Sequence, residues 1–375
     1  MRVLYLLSSS IMGGATHSAL TLIKGLKERS CEVIVVSPDM DGQLKDILES
    51  NRIRWYVVKY GFFAYPSHEV NGIRRTFILL KTILRNIVAV NQLSRIIKKE
   101  QIEIVHTNVG PVMCGYFASV MTGVRHVWHI REYGDLDFDI RMFPSKEFFR
   151  KCLAQSFVVS ITNDIIKYNR LQNNLNASVI YNGVRKKDDV TYEPSKEKYF
   201  LCASRISPEK GFEQIIRVYA DFHLKYPEYR LIIIGMDQNG YTNQLKEIAR
   251  KGKILDAIDF EGYRNNVSDY MKKAKALLVA SHYEGFGRMT AEAAFAGCLV
   301  IGKKTAGTKE ILDITGGYTF MTDDEMLDAM IEIADMKEEE YRPKAYEAQK
   351  KALQFFSEEE YLKKVYQLYC KILSN

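Results

Sequence analysis

Ser281-His282-Tyr283-Glu284-Gly285-Phe286-Gly287-Arg288-Met289-Thr290-Ala291-Glu292-Ala293-Ala294 is the most informative stretch of the chain. It follows an apolar run at residues 277–280 that reads as a buried strand, passes through a loop with two glycines, and enters an alanine-rich helical segment. In open α/β sheets, ligands bind outside the carboxyl ends of strands, and glycines there let backbone N–H groups at a helix N-terminus approach a phosphate. The stretch is a candidate diphosphate cradle, with Gly285, Phe286, Gly287 and Arg288 at its centre. Carboxylates accept hydrogen bonds from vicinal hydroxyls, so Glu284 on the loop suits a sugar and Glu292 in the early helix a ribose. A plainer reading makes Glu292 a solvated residue at a positive helix end and the glycines mere turn formers.

A second stretch shifts that balance. Ser204-Arg205-Ile206-Ser207-Pro208-Glu209-Lys210-Gly211 follows the first apolar run of the same half and delivers two cations to the same sheet edge. Arg205 offers a fixed fork and Lys210 a point charge, and together they could neutralise a leaving diphosphate, although lone surface cations are common.

Working outward, short aliphatic runs alternate with helical patterns along the whole chain. Residues 3–7, 33–37, 54–58, 104–106, 126–130, 157–160 and 178–181 read as buried parallel strands, and a second series occupies 199–203, 231–235, 258–260, 276–280 and 299–301. Such alternation implies doubly wound sheets, one in each half. Between them, residues 185–198 carry mixed charge and little apolar content, as expected of a linker. The last segment places Tyr361, Val365, Leu368, Tyr369 and Ile372 on one helical face, with Ser357 and Glu360 at capping-box spacing. That face requires something to pack on.

At 375 residues the chain suits two domains. A hydrophobic fraction of 47% and a charged fraction of 26% fit a globular protein and argue against disorder. Six cysteines are scattered without a CxxC pair, which fits a reducing compartment and no disulfide framework. The first apolar run is too short for a signal peptide or a membrane span. The net charge of +7 is unevenly shared: residues 1–185 hold 24 Lys/Arg against 15 Asp/Glu, and residues 186–375 hold 29 against 31. No nucleic-acid-binding signature accompanies this basic excess, so no nucleic-acid partner is expected.

Together these residues resemble glycosyltransferase family 4, the retaining GT-B enzymes that include many bacterial capsule, exopolysaccharide and lipopolysaccharide transferases. The resemblance spans nearly the whole chain. It rests on Arg205 with Lys210, on the spaced pair Glu284 and Glu292, on Asn182-Gly183-Val184, on the Gly13-Gly14 loop and on the C-terminal helix. It implies an α/β GT-B fold of two Rossmann-like, doubly wound parallel-sheet domains facing across a cleft. Residues 1–185 would bind the acceptor and 186–356 the nucleotide sugar, with the helix at 357–375 crossing back to the first domain. The roles implied are donor ribose for Glu292, donor sugar for Glu284 and diphosphate for Arg205 and Lys210. His129 would face the reacting sugar, although a lone strand-end histidine is more often structural, as are His106 and His126. Gly13 and Gly14 would approach the donor phosphate or the acceptor. Three departures stand out: Leu299 where many relatives carry proline, Arg288 for an aliphatic residue, and Ala306-Gly307 for Gly-Gly.

The activity implied is transfer of a hexose or N-acetylhexosamine from a nucleoside diphosphate sugar to a hydroxyl of a glycan or lipid-linked acceptor, with no cofactor and no metal. Rival readings are a GT-B sugar-nucleotide epimerase or hydrolase and a non-catalytic binding subunit. Asp135, Asp137 and Asp139 superficially match a metal motif, but Ile140 and Lys146 stand where a calcium loop needs Gly and Glu, so a solvated or acceptor-facing loop is expected. Gly13-Gly14 with Asp39 makes a poor dinucleotide fingerprint, since the G-x-G-x-x-G spacing is missing. The stretch Gly72–Lys99 mixes Arg74, Arg75, Lys81, Arg85, Arg95, Lys98 and Lys99 with Phe77, Ile78, Leu79, Leu80, Ile83, Leu84, Ile87, Val88 and Val90. It reads either as an interfacial helix that brings a cytoplasmic protein to the anionic inner face of the membrane, or as scaffold with a wet cationic face.

Overall fold

The apolar runs of the first half become strands because β-branched side chains fit a pleat buried on both faces. In a computed structural model describing residues 1–67, 72–237 and 239–374, the strands of the first half are, in chain order, β1 (Arg2–Leu6), β2 (Glu32–Ser37), β3 (Arg54–Val57), β4 (Ala64–Pro66), β5 (Ile104–Thr107), β6 (Arg125–Ile130), β7 (Ile140–Met142), β8 (Phe157–Ser160) and β9 (Ala177–Val179). Seven of them form one sheet in the order β3-β2-β1-β5-β6-β8-β9. Every neighbouring pair in it is parallel. The short strands β4 and β7 pair antiparallel with each other and were not expected from the sequence.

The second half adds β10 (Tyr199–Ala203), β11 (Arg230–Ile234), β12 (Ile258–Gly262), β13 (Ala276–Val279), β14 (Leu299–Lys303) and β15 (Tyr318–Phe320). They form a six-stranded parallel sheet in the order β12-β11-β10-β13-β14-β15. Of these only β15 was missed in the sequence.

The chain divides into two compact units, Met1–Gly183 with Glu358–Asn375, and Val184–Ser357. The charged segment 185–198 is packed within the second unit and is no free linker: Tyr192 donates to Glu338 at 2.7 Å, Lys196 to the Lys272 carbonyl at 2.6 Å, and Gln349 to the Thr191 carbonyl at 2.6 Å. Composition misleads here because Tyr and Lys bury their stems while their heads stay polar.

The last helix, Glu358–Ser374, lies in the first unit. Tyr361, Val365, Tyr369 and Ile372 are at most 1% exposed and join a core with Val3, Tyr5 and Val33. Full burial of such side chains contributes about 1.5–3 kcal/mol each, which fastens the chain end to the first sheet.

Candidate functional site

In the six-stranded sheet, connections run outward from β10 toward β12 and from β13 toward β15, so β10 and β13 flank a switch point. Such a point opens a crevice beyond the carboxyl ends of its two strands. The loop at 204–211 leaves β10 and the loop at 281–287 leaves β13, which makes neighbours of the two stretches singled out in the sequence.

Backbone contacts weld them. Gly211, at φ +73°, packs so closely that a Cβ would lie 2.2 Å from the Ala280 carbonyl oxygen. The His282 amide donates to the Glu209 carbonyl at 3.0 Å. On the far side the Gly307 amide donates to the Glu284 carbonyl at 2.9 Å, and a Cβ at Gly307 would lie 2.5 Å from the Phe286 oxygen. Held this way, Lys210 Nζ reaches Glu284 Oε1 at 2.6 Å, and Ser281 Oγ donates to the same oxygen at 2.8 Å.

Glu292 sits in the helix Arg288–Phe295, whose N-cap Gly287 (φ +88°) supplies no side-chain cap. Its side chain is only 10% exposed: Arg288 Nε contacts Oε1 at 2.8 Å and Arg185 Nη2 contacts Oε2 at 3.3 Å. Arg288 also donates to the Val184 carbonyl at 3.1 Å. Glu292 is therefore no solvated helix residue. A carboxylate has about four lone-pair sites, so one oriented by two guanidinium groups retains capacity for hydroxyl donors.

Arg205 stands on the same edge but is half exposed and pairs with Glu209 at 2.8 Å. Burial raises the Glu209 carboxyl, yet the hydrogen bond from Ser207 and the charge of Arg205 outweigh it and leave the group below its ordinary range. The sequence reading missed Arg185, Ser281 and Glu209. Arg185 lies 107 residues from Glu292, and nothing local links the two.

His129, Gly13 and Gly14 belong to the other unit. Gly13 and Gly14 open the helix Gly14–Glu28 without a side-chain cap, and a Cβ on either would meet nothing within 4 Å. Asp39 accepts from the Ser10 amide at 2.6 Å and from Ser37 Oγ at 3.2 Å, which fixes the loop after β1. His129, at the end of β6, is fully buried. Its Nδ1 lies 3.2 Å from His106 Nε2 and 3.3 Å from Arg131 Nη2, while its Nε2 has no partner among the described residues. Burial, then the charge of Arg131, holds both histidines well below their usual pKa. His126 bonds Thr107 and Ser156, and burial lowers it to about 3. Arg131 itself was missed. Its signal was available: residues 129 and 131 alternate along an extended segment and so share a face.

The acidic run does not converge. Asp137 turns onto its own loop, accepting from the Tyr133 and Gly134 amides at 3.0 and 2.8 Å, while Asp135 pairs with Lys146 at 3.0 Å. Among the described residues, no group of three or more His, Cys, Asp or Glu is placed to hold a metal ion. No helix among them is long and apolar enough to cross a membrane.

Comparisons with known proteins accord with this geometry. A family model described as "Glycosyltransferase Family 4" matches residues 12–187, and one described as "Glycosyl transferases group 1" matches residues 184–352. An uncharacterized protein in the cps region of Klebsiella pneumoniae is 25% identical over 86% of this chain and 91% of its own length. Among solved structures, a glycosyltransferase of Rickettsia africae superposes with a TM-score of 0.79 at 20% identity, covering 100% of this chain and 99% of its own. Anabaena HepE in complex with UDP-glucose gives 0.76 at 18% identity, with both chains covered completely. Two adjoining family matches, two parallel-sheet units and a switch-point cluster of paired cations and carboxylates lead to one assignment: the chain belongs to the family 4 glycosyltransferases of the GT-B fold.

Proposed function

We propose that the chain transfers a hexose or N-acetylhexosamine, with retention of anomeric configuration, from a nucleoside diphosphate sugar to a hydroxyl of a lipid-linked or polysaccharide acceptor. The observation that carries this reading is the pairing of Lys210 with Glu284 beside the doubly paired Glu292 at the switch point. UDP-glucose in the related Anabaena structure supports a nucleotide-sugar donor. Glu292 takes the ribose hydroxyls, Glu284 a sugar hydroxyl, and Lys210 with Arg205 the diphosphate. His129 contacts the sugar being transferred, and Gly13 and Gly14 leave room for donor phosphate or acceptor. The cations and the helix end opened by Gly287 stabilise the charge that grows on the leaving diphosphate, so no metal is required. As the sugar–phosphate bond breaks, the departing diphosphate takes the acceptor proton.

The acceptor side of the proposal rests on the helix Gly72–Lys99. Asn86, Ala89, Leu93 and Ile97 form its buried face, whereas Phe77, Leu80, Leu84, Ile87 and Val88 are 52–71% exposed. Lys81 and Arg85 flank that stripe in solvent; the side chains of Arg74 and Arg75 lie outside the described residues. A helix that exposes five large apolar side chains next to cations suits an anionic membrane surface, which favours the interfacial reading over plain scaffold. It would place a cytoplasmic enzyme at a lipid-linked acceptor.

Incubation of the donor with and without acceptor, with the product anomer read by NMR, tests the activity. Donor consumption without acceptor would replace transfer by hydrolysis or epimerisation. Anionic vesicles should bind the protein at low salt, and Lys81→Glu with Arg85→Glu should release it with donor binding intact. Absence of vesicle binding would return the helix to scaffold.

A further inference from the structure

Around His129 the first unit builds a buried polar chain that the transfer reading leaves unexplained. Tyr369 Oη lies 2.6 Å from His106 Nδ1, His106 Nε2 lies 3.2 Å from His129 Nδ1, and Arg131 Nη2 lies 3.3 Å from that same Nδ1. The guanidinium is itself enclosed: Nε donates to the carbonyl and side-chain oxygens of Asn108, Nη1 to Asn182 Oδ1, and Nη2 also to Tyr361 Oη. None of these partners is a carboxylate, and among the described residues Arg131 has no ion-pair partner.

Elementary hydrogen-bond accounting then fixes every proton in the chain. A guanidinium has five donors and no acceptor, so His129 Nδ1 must be the acceptor. A neutral imidazole with an accepting Nδ1 carries its proton on Nε2. His106 faces the same lone pair and must present Nε2–H to it, which leaves its own Nδ1 to accept from the Tyr369 hydroxyl. The only ring atom of His129 left over is Nε2, buried and without a partner among the described residues.

We propose that Arg131 is a positioning residue: it locks His129 as the Nε2–H tautomer, so that the ring presents a hydrogen-bond donor, backed by an unbalanced positive charge, to an oxygen of the nucleotide sugar. A buried unmet donor is costly and a buried charge more so, and both costs are offset when an electron-rich oxygen binds. The substrate clause rests on the transfer reading; the tautomer clause stands without it. Asn182, the asparagine of the Asn-Gly-Val stretch, acquires a role as well, since it aligns the guanidinium.

The test is nitrogen NMR of protein labelled in its seven histidines, with His129→Asn identifying the His129 signals. Pyrrole-type (protonated) and pyridine-type ring nitrogens resonate in separate ranges. Wild type should show His129 Nε2 as pyrrole-type and Nδ1 as pyridine-type; the reverse would overturn the proposal, whatever the enzyme's activity. Arg131→Met should mix the two tautomers and lower kcat about tenfold or more, with the donor KM within about twofold of wild type, and Arg131→Lys should restore part of the loss. An unchanged tautomer and kcat in Arg131→Met would also overturn it. Adding a nucleoside diphosphate alone, then the nucleotide sugar, separates the acceptors: a shift of Nε2 with the sugar alone marks a sugar oxygen, and a shift with both marks a phosphate oxygen. No shift with either, under conditions where thermal shift shows both bound, would remove the contact. Failure of both to bind would sink the transfer reading and leave the tautomer result standing.

Discussion

Lys210 Nζ and Glu284 Oε1 stand 2.6 Å apart although 74 residues separate them in sequence. Each is carried by the loop leaving one of two adjacent parallel strands, and both side chains are less than a quarter exposed. A partly buried pair interacts more strongly than one in water, so the lysine is oriented before any ligand arrives. Under the proposed function, a phosphate takes Lys210 from Glu284 and frees that carboxylate for a sugar hydroxyl.

Arg205 is the more exposed cation and is held by Glu209. Its removal should therefore leave the fold intact and act on the reaction. Arg205→Ala is expected to lower kcat/KM by about 2 to 4 kcal/mol, the scale of losing one preorganised charge-stabilising group. A near-wild-type rate in steady-state kinetics would take Arg205 out of the diphosphate site.

Under the proposed function activity should survive excess chelator, since Lys210, Arg205 and the helix end would supply the charge that a divalent ion would otherwise bring to the diphosphate. Loss of turnover with chelator, restored by Mg²⁺ or Mn²⁺, would contradict this and redirect attention to Asp135, Asp137 and Asp139.

Ala306 has φ +45°, a left-handed conformation that a side chain resists. It stands where the resemblance leads one to expect glycine. The strain costs about 1–2 kcal/mol, against about 0.5–1 kcal/mol for the greater chain freedom of glycine. Ala306→Gly should raise the thermal midpoint by a few degrees. A lower midpoint would mean that the alanine methyl contributes more by packing than the backbone loses.

Glu132 accepts a hydrogen bond from the Gly110 amide in a buried setting. Burial lifts its carboxyl to about 8, partly opposed by that amide, from an ordinary value of 4.5. The folded state thus holds this proton more tightly than the unfolded chain does. The associated stability is fully present below about pH 4.5 and is lost as pH rises through about 8. Denaturation of Glu132→Gln beside wild type should show the variant gaining relative stability from about pH 5 to about pH 8, by a few kcal/mol at most. A difference that stays constant across that range would show that Glu132 is ionised in the folded protein.

Most strands of the two large sheets were legible as short apolar runs, down to three residues at 104–106 and 299–301. β4, β7 and β15 were not: Ala-Tyr-Pro, Ile-Arg-Met and Tyr-Thr-Phe contain no aliphatic run. The buried face of the C-terminal helix, Tyr361, Val365, Tyr369 and Ile372, was legible, because a 3.6-residue period in aromatic and aliphatic side chains needs a partner surface whatever the fold. The placement of Glu284, Glu292 and Lys210 at a sheet edge could be read because strand–loop–helix grammar dictates it. Arg185 could not, because it reaches Glu292 only once chain segments far apart in sequence have folded together. The charged segment at 185–198 shows the opposite failure, a surface-like composition in a packed segment.

The central claim is that the nucleotide is held at the β10–β13 switch point through Glu292. The most direct measurement is the affinity of the nucleoside diphosphate that gives the largest thermal shift, determined for wild type, Glu292→Ala and Glu284→Ala. Binding of the nucleotide should weaken in Glu292→Ala, whereas Glu284→Ala should bind it normally and lose turnover instead. Equal affinity in wild type and Glu292→Ala would contradict the account and move the donor site away from Glu292.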